Sequence, residues 1–347
     1  MADNTKYSEK PELKTISNNN GLSVTIMDWG ATIISIKVPV YGEAKPREVL
    51  LGVSDPEQWS TQSCYFNATI GRFANRIADN SFEIDGKAYH LKSNDRHTLH
   101  GGVEGFDKRR FTLVKQSENS LTYELVSNDG DMGFPGNYTL RVTYTVTADN
   151  SLLVEYLGSC DQKCWSCITN HAYFNLNGKN SSALNHTVWF DSTEYLPCDA
   201  DSIPTGEVRK VRGSAFDFNS APKTVGQDFM RDEQMELALG YDHPFIIAGD
   251  PLKPFAKVAS DDGSVKMELY TDYPAFQFYS GNYIYSPDPA KQIVARDDGK
   301  VYQAQSALCF EPEFYPDCPH LPQFADRNSM VTPEAPLSRF ICYKFKI

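Results

Sequence analysis

Apolar side chains at every second position leave a chain few ways to fold, because only an extended strand with one buried face puts residues two apart on the same side. That alternation runs through this sequence: Leu22, Val24 and Ile26 interleave with polar neighbours, as do Tyr138, Leu140, Val142, Tyr144 and Val146. Turn chemistry separates such runs. Asp85-Gly86, Asn119-Ser120, Asp149-Asn150 and Asp262-Gly263 each stand before or between them and read as hairpin connections. A plausible helix of note appears only around Asp228 to Leu239, and no helical series alternates with strands as a parallel α/β fold requires. The pattern predicts an all-β protein, a large antiparallel β-sandwich with few short helices.

Strand patterns continue from about Leu22 to Phe345 without a Pro/Ser-rich linker, charge block or low-complexity tract, so one domain over 1–347 is expected. With 41% hydrophobic residues the chain has the material for a continuous core and no signature of disorder. Its 45 acidic and 33 basic residues, a formal charge of −12, argue against nucleic acid or an anionic membrane as partner and favour a neutral small molecule. The opening M-A-D-N-T-K-Y-S-E-K has no apolar signal-peptide core, and no stretch approaches the ~18 apolar residues of a membrane span. A cytoplasmic location is expected.

The eight cysteines are spread along the chain and read as free thiols. Cys160, Cys164 and Cys167 have a C-x3-C-x2-C spacing that an iron–sulfur cluster can use, but they run off a strand pattern, and core or loop thiols are the simpler reading. His97 and His100 form an H-x-x-H pair in a Gly-rich loop with no evident third ligand. No metal and no cofactor are assigned.

Polar segments embedded among apolar strands carry the chemistry, since buried polar groups are costly unless paired or used. They are N-A-T-I-G-R-F-A-N-R-I (67–77), H-T-L-H-G-G (97–102), T-N-H-A-Y-F-N-L (169–176), Y-D-H-P-F (241–245), Q-F-Y-S-G-N (277–282) and C-F-E-P-E-F-Y-P-D (309–317). Smaller blocks join them, including M-D-W-G-A-T at 27–32, G-F-D-K-R at 105–109 and G-F-P-G at 133–136. In this order, over nearly the whole chain, the set resembles the galactose mutarotase (aldose 1-epimerase) family of bacterial type.

The resemblance implies a galactose mutarotase-like supersandwich and an isomerase that interconverts the α and β anomers of free D-galactose and D-glucose. By the family's motifs Glu311 is the general base and His171 the general acid. Asn75, Arg76, His100, Asp242 and Gln277 are the sugar binders, with His100 an alternative polariser of the ring oxygen. Taken singly, each has an ordinary structural explanation: a strand glutamate, a satisfied core histidine, an ion-paired arginine, a turn aspartate. Glu313 is the rival base, because residues two apart on a strand share a face, and His243 adjoins Asp242. A histidine near its reference pKa of ~6.5 is mostly neutral at pH 7, so something must keep His171 charged if it is the acid. The expected partner is a free hexose, with no nucleic acid and no membrane, for a monomer or homodimer. Two other readings are a catalytically silent carbohydrate-binding protein and an epimerase of phosphorylated hexoses, the latter needing a basic cluster for which Lys108-Arg109-Arg110 is the only run.

Overall fold

The computed structural model describes residues 10–55, 58–93, 95–247, 249–327 and 329–346. All four turn pairs join antiparallel neighbours, and at Asp85 (φ 51°) and Gly86 (φ 78°) both turn residues are left-handed, as the tightest hairpin turns demand. Tyr138–Val146 has its odd-register side chains buried and the others exposed or half-buried, as alternation requires.

Two sheets dominate. A nine-stranded antiparallel sheet has the order Thr112–Gln116, Ser120–Ser127, Tyr138–Val146, Ser151–Cys160, Leu337–Lys346, Lys266–Thr271, Ala256–Ala259, Thr187–Phe190 and Lys223–Thr224. A six-stranded sheet has the order Tyr173–Phe174, Leu308–Glu313, Ala275–Tyr279, Asp242–Ile246, Glu194–Tyr195 and Arg209–Lys210. They face each other through aromatic side chains. Phe190 of the larger sheet lies 5.0 to 5.1 Å, centroid to centroid, from Phe245, Phe276 and Phe278 of the smaller one, and Tyr343 lies 5.0 Å from Phe174. Each such ring contributes roughly 1.5–3 kcal/mol by leaving water.

The helix expected over Asp228–Leu239 is shorter. It spans Glu233–Ala238, because Met230 has a positive φ of 59° and Asp232 caps the start by accepting the Gln234 N–H, while Leu239 ends it at φ 58°. One further α-helical turn, Gln58–Thr61, carries no apolar period that the sequence displays.

Strands Leu308–Glu313 and Ala275–Tyr279 are buried on both faces. Phe310, Phe276 and Phe278 point into the sandwich, so their neighbours Glu311, Glu313, Gln277 and Tyr279 point the other way. That second face is covered by the connections around 63–76, 98–106 and 165–173, and the polar blocks meet between sheet and cover.

Candidate active site

Between them lies a cavity of about 240 Å³ lined by Asn75, Arg76, His100, His171, Asp242, Gln277 and Glu311, all seven residues singled out from the sequence. The volume falls below the drug-sized range and suits one sugar ring. Glu313 is not on its wall.

Glu311 and Gln277 are cross-strand partners, and Gln277 Nε2 donates to Asp242 Oδ1 at 2.7 Å, leaving Gln277 Oε1 buried without a partner. His171 follows the short pair Thr169–Asn170, its backbone N–H bonded to Ala68 O at 3.0 Å. Its ring stacks on Tyr173 at 4.9 Å and 19°, and Nε2 lies 3.6 Å from Glu311 Oε2. That gap is too long for a hydrogen bond and leaves both atoms facing the same space. Both groups are almost sealed, at 5% and 2% exposure.

The opposite wall is held by left-handed backbone. Asn75 (φ 62°) and His100 (φ 53°) exchange bonds: Asn75 N–H donates to His100 Nδ1 at 3.1 Å, and His100 N–H donates to Asn75 O at 3.0 Å. With Nδ1 accepting, neutral His100 keeps its proton on Nε2 and is a donor. Gly101 permits this approach, since a Cβ there would sit 2.0 Å from Gly71 O. Asn75 Nδ2 donates to Glu313 Oε1 at 3.0 Å, turning Glu313 beneath the wall. Among the described residues the Arg76 guanidinium, which lines the cavity, makes no ion pair.

Burial sets the electrostatics. It raises Glu311 well above the ordinary carboxylate range, the more so for any charge on Glu313 or Asp242. It raises Glu313 likewise, against the Asn75 hydrogen bond, and raises Asp242 against Arg76 and Gln277. The same burial lowers His171 to about 4 and His100 well below its usual value, the latter helped by His171, Arg76 and Lys108. The pocket walls by themselves therefore leave His171 neutral, whereas its expected role requires charge. Protons rest on the carboxylates until something polar enters.

Ligand atoms of His100, His171 and Glu311 lie within 4.8 Å of one another, a two-histidine, one-carboxylate set. The His100 tautomer opposes coordination, because a ring whose Nδ1 accepts a backbone N–H carries hydrogen, not a lone pair, on Nε2.

Several motif residues belong to the scaffold instead. Asn67 binds Leu51 O and the Tyr173 N–H, Asn170 binds Asn67 O, and Arg72 binds the carbonyls of Pro135 and Gly136. His243 turns into the core against Phe216 at 4.9 Å, away from the pocket, and burial lowers it to about 3. His97 accepts the Asp79 N–H and stays outside the cavity. Sequence reading missed the aromatic walls Tyr65, Tyr173, Tyr279 and Tyr283. Tyr173 and Tyr279 were signalled by parity, each two residues from His171 or Gln277 on an extended backbone.

Fold and pocket together define a class, an antiparallel β-sandwich with a small polar cavity on the outer face of its smaller sheet. The chain belongs to the aldose 1-epimerase family, whose profile matches residues 12–332. It is 39% identical to the aldose 1-epimerase of Escherichia coli K12 over 336 residues, 96% of this chain and 94% of that one. It is 38% identical to human galactose mutarotase over 306 residues, 87% and 85% of the two chains. The crystal structure of an aldose epimerase homologue from C. elegans matches with a TM-score of 0.87 at 27% identity, covering 97% of this chain and 99% of that one.

Proposed function

We propose that this protein interconverts the α and β anomers of free hexoses such as D-galactose and D-glucose, with Glu311 as general base and His171 as general acid. The observation that carries the reading is the pair itself: two titratable groups 3.6 Å apart, facing one sugar-sized cavity. Glu311 takes the anomeric hydroxyl proton, the bond from the anomeric carbon to the ring oxygen breaks, and His171 delivers a proton to that oxygen. Rotation about the bond to the next carbon and the reverse transfers close the other anomer.

The pair needs only one mobile proton. Burial leaves it on Glu311; sugar hydroxyls donating to the carboxylate favour its ionised form and pass the proton to His171. At this spacing in a dry site the resulting ion pair is mutually stabilising. Arg76, His100 as an Nε2–H donor, Asp242 and Gln277 Oε1 offer the mixed donors and acceptors that hexose hydroxyls require.

A phosphorylated substrate is disfavoured. Lys108 Nζ is bonded to Val103 O, Arg109 to Glu104 O and Asp131, and Arg110 to Asp28, so the basic run is spent on the scaffold. A silent sugar-binding protein has no use for the sealed acid–base pair. Polarimetry on freshly dissolved α-D-galactose is the test: the protein accelerates the decay of optical rotation, and Glu311→Gln loses the acceleration. A decay no faster than buffer alone refutes the reading.

A further inference from the structure

The cysteine run noted in the sequence lies outside the sugar pocket. Cys160 ends the strand Ser151–Cys160, Cys164 starts the pair Cys164–Trp165, and the exposed turn Asp161-Gln162-Lys163 joins them. Cys167 is separate, its Sγ accepting the Phe314 N–H at 3.3 Å.

Cys160 and Cys164 converge on one buried cation. Arg72 is 2% exposed; its Nη1 donates to Pro135 O at 2.7 Å and lies 3.4 Å from Cys164 Sγ. Cys160 Sγ donates to the same Pro135 O at 3.7 Å and Cys164 Sγ donates to Trp165 O at 3.2 Å, with the two thiols near enough to influence each other. Among the described residues no carboxylate forms an ion pair with Arg72, and Asp131 is reached only through Ser127 Oγ. A buried guanidinium held mostly by carbonyls is a setting in which a neighbouring thiolate is favoured. The adjacent Cys164 thiol, with the Gln162 backbone and Arg72, lowers the Cys160 thiol to about 6 against the pull of burial.

We propose that Cys160 and Cys164 form a peroxide-reactive dithiol that closes to an intramolecular disulfide. The Cys160 thiolate attacks one oxygen of hydrogen peroxide, the O–O bond breaks, and a sulfenic acid and hydroxide result. The Cys164 sulfur then attacks the Cys160 sulfur, the S–O bond breaks, and water leaves with the Cys164 proton. Overall the dithiol is oxidised by two electrons and the peroxide is reduced to two waters. Arg72, no longer facing a Cys160 thiolate, stabilises the attacking Cys164 sulfur. The site stands independently of the sugar reaction.

The test uses the wild-type chain, treated with hydrogen peroxide at neutral pH and digested with trypsin without reductant. Cleavage after Arg141, Lys163 and Lys179 places Cys160 in peptide 142–163 and Cys164 in 164–179. The expected product is the two peptides linked through Cys160 and Cys164, two hydrogens lighter than their sum and separated by dithiothreitol. Cys309→Ser retains the link and Cys164→Ser loses it. Unlinked 142–163 peptide, whether unmodified or over-oxidised to sulfinic acid, overturns the proposal, as does a link that fragmentation maps to Cys167.

Discussion

Glu311 and Glu313 stand two apart on one strand and share a face, yet their surroundings differ: Glu311 lines the cavity, while Glu313 is 0% exposed and bonded to Asn75. If Glu311 and His171 act as a unit, Glu311→Gln and His171→Asn each lower kcat by ~10²–10⁴ with the fold intact by circular dichroism, and the double variant is little worse than either. Glu313 is held protonated by burial, so its neutral isostere should serve. Glu313→Gln is expected to keep kcat/KM within about threefold and leave the pH profile unmoved, whereas Glu313→Ala strips Asn75 of its acceptor, costing about 1–3 kcal/mol in urea unfolding. A basic limb shifted downward in Glu313→Gln would show that Glu313 is charged instead.

The pH dependence of catalysis belongs to the same pair. The first proton bound goes to Glu311, whose affinity is raised, and the second to His171, near about 4. Polarimetry corrected for the buffer reaction should therefore give a bell-shaped kcat/KM. Its acid limb should lie near pH 4 and its basic limb above the ordinary carboxylate range. A profile flat from pH 4 through 8 contradicts the pair.

At the scale of elements, parity decides which strands carry function. In Ala275–Tyr279 and Leu308–Glu313 the sandwich face is phenylalanine and the other face is polar, so one backbone serves both core and pocket. Junctions between elements use buried histidines. His186, just before the strand Thr187–Phe190, accepts the Leu176 N–H through Nε2 at 2.9 Å, and burial lowers it from 6.5 to about 4. Between those values the unfolded chain binds a proton that the native one refuses, so this residue's contribution falls as pH drops through that window, by up to about 3 kcal/mol. His186→Gln removes the titration. Urea unfolding at pH 7 and pH 4.5 should show the wild type losing more stability on acidification than the variant, and equal losses would refute the assignment.

At the scale of the whole molecule, the last strand in sequence is the middle of the larger sheet. Leu337–Lys346 pairs with Ser151–Cys160 on one side and Lys266–Thr271 on the other. Deleting it splits that sheet and exposes Ile341, Tyr343 and Phe345, each 0–1% exposed in the intact chain. A chain ending at Pro336 is expected to show no cooperative thermal transition, where the full chain, read as one domain, shows a single one in calorimetry. The sequence by itself determined the strand class and the hairpins around Asp85-Gly86 and its counterparts, because alternation and turn chemistry are local, and through its resemblance to a family it pointed to seven residues that line the cavity. It did not reveal that Glu313 lies under Asn75, that His243 faces the core, that His100 carries its proton on Nε2, or that Cys160 and Cys164 share Arg72. Those were decided by tertiary structure, since each depends on residues far apart in the chain, or on which face of the sheet a side chain meets, and on the loss of water between them.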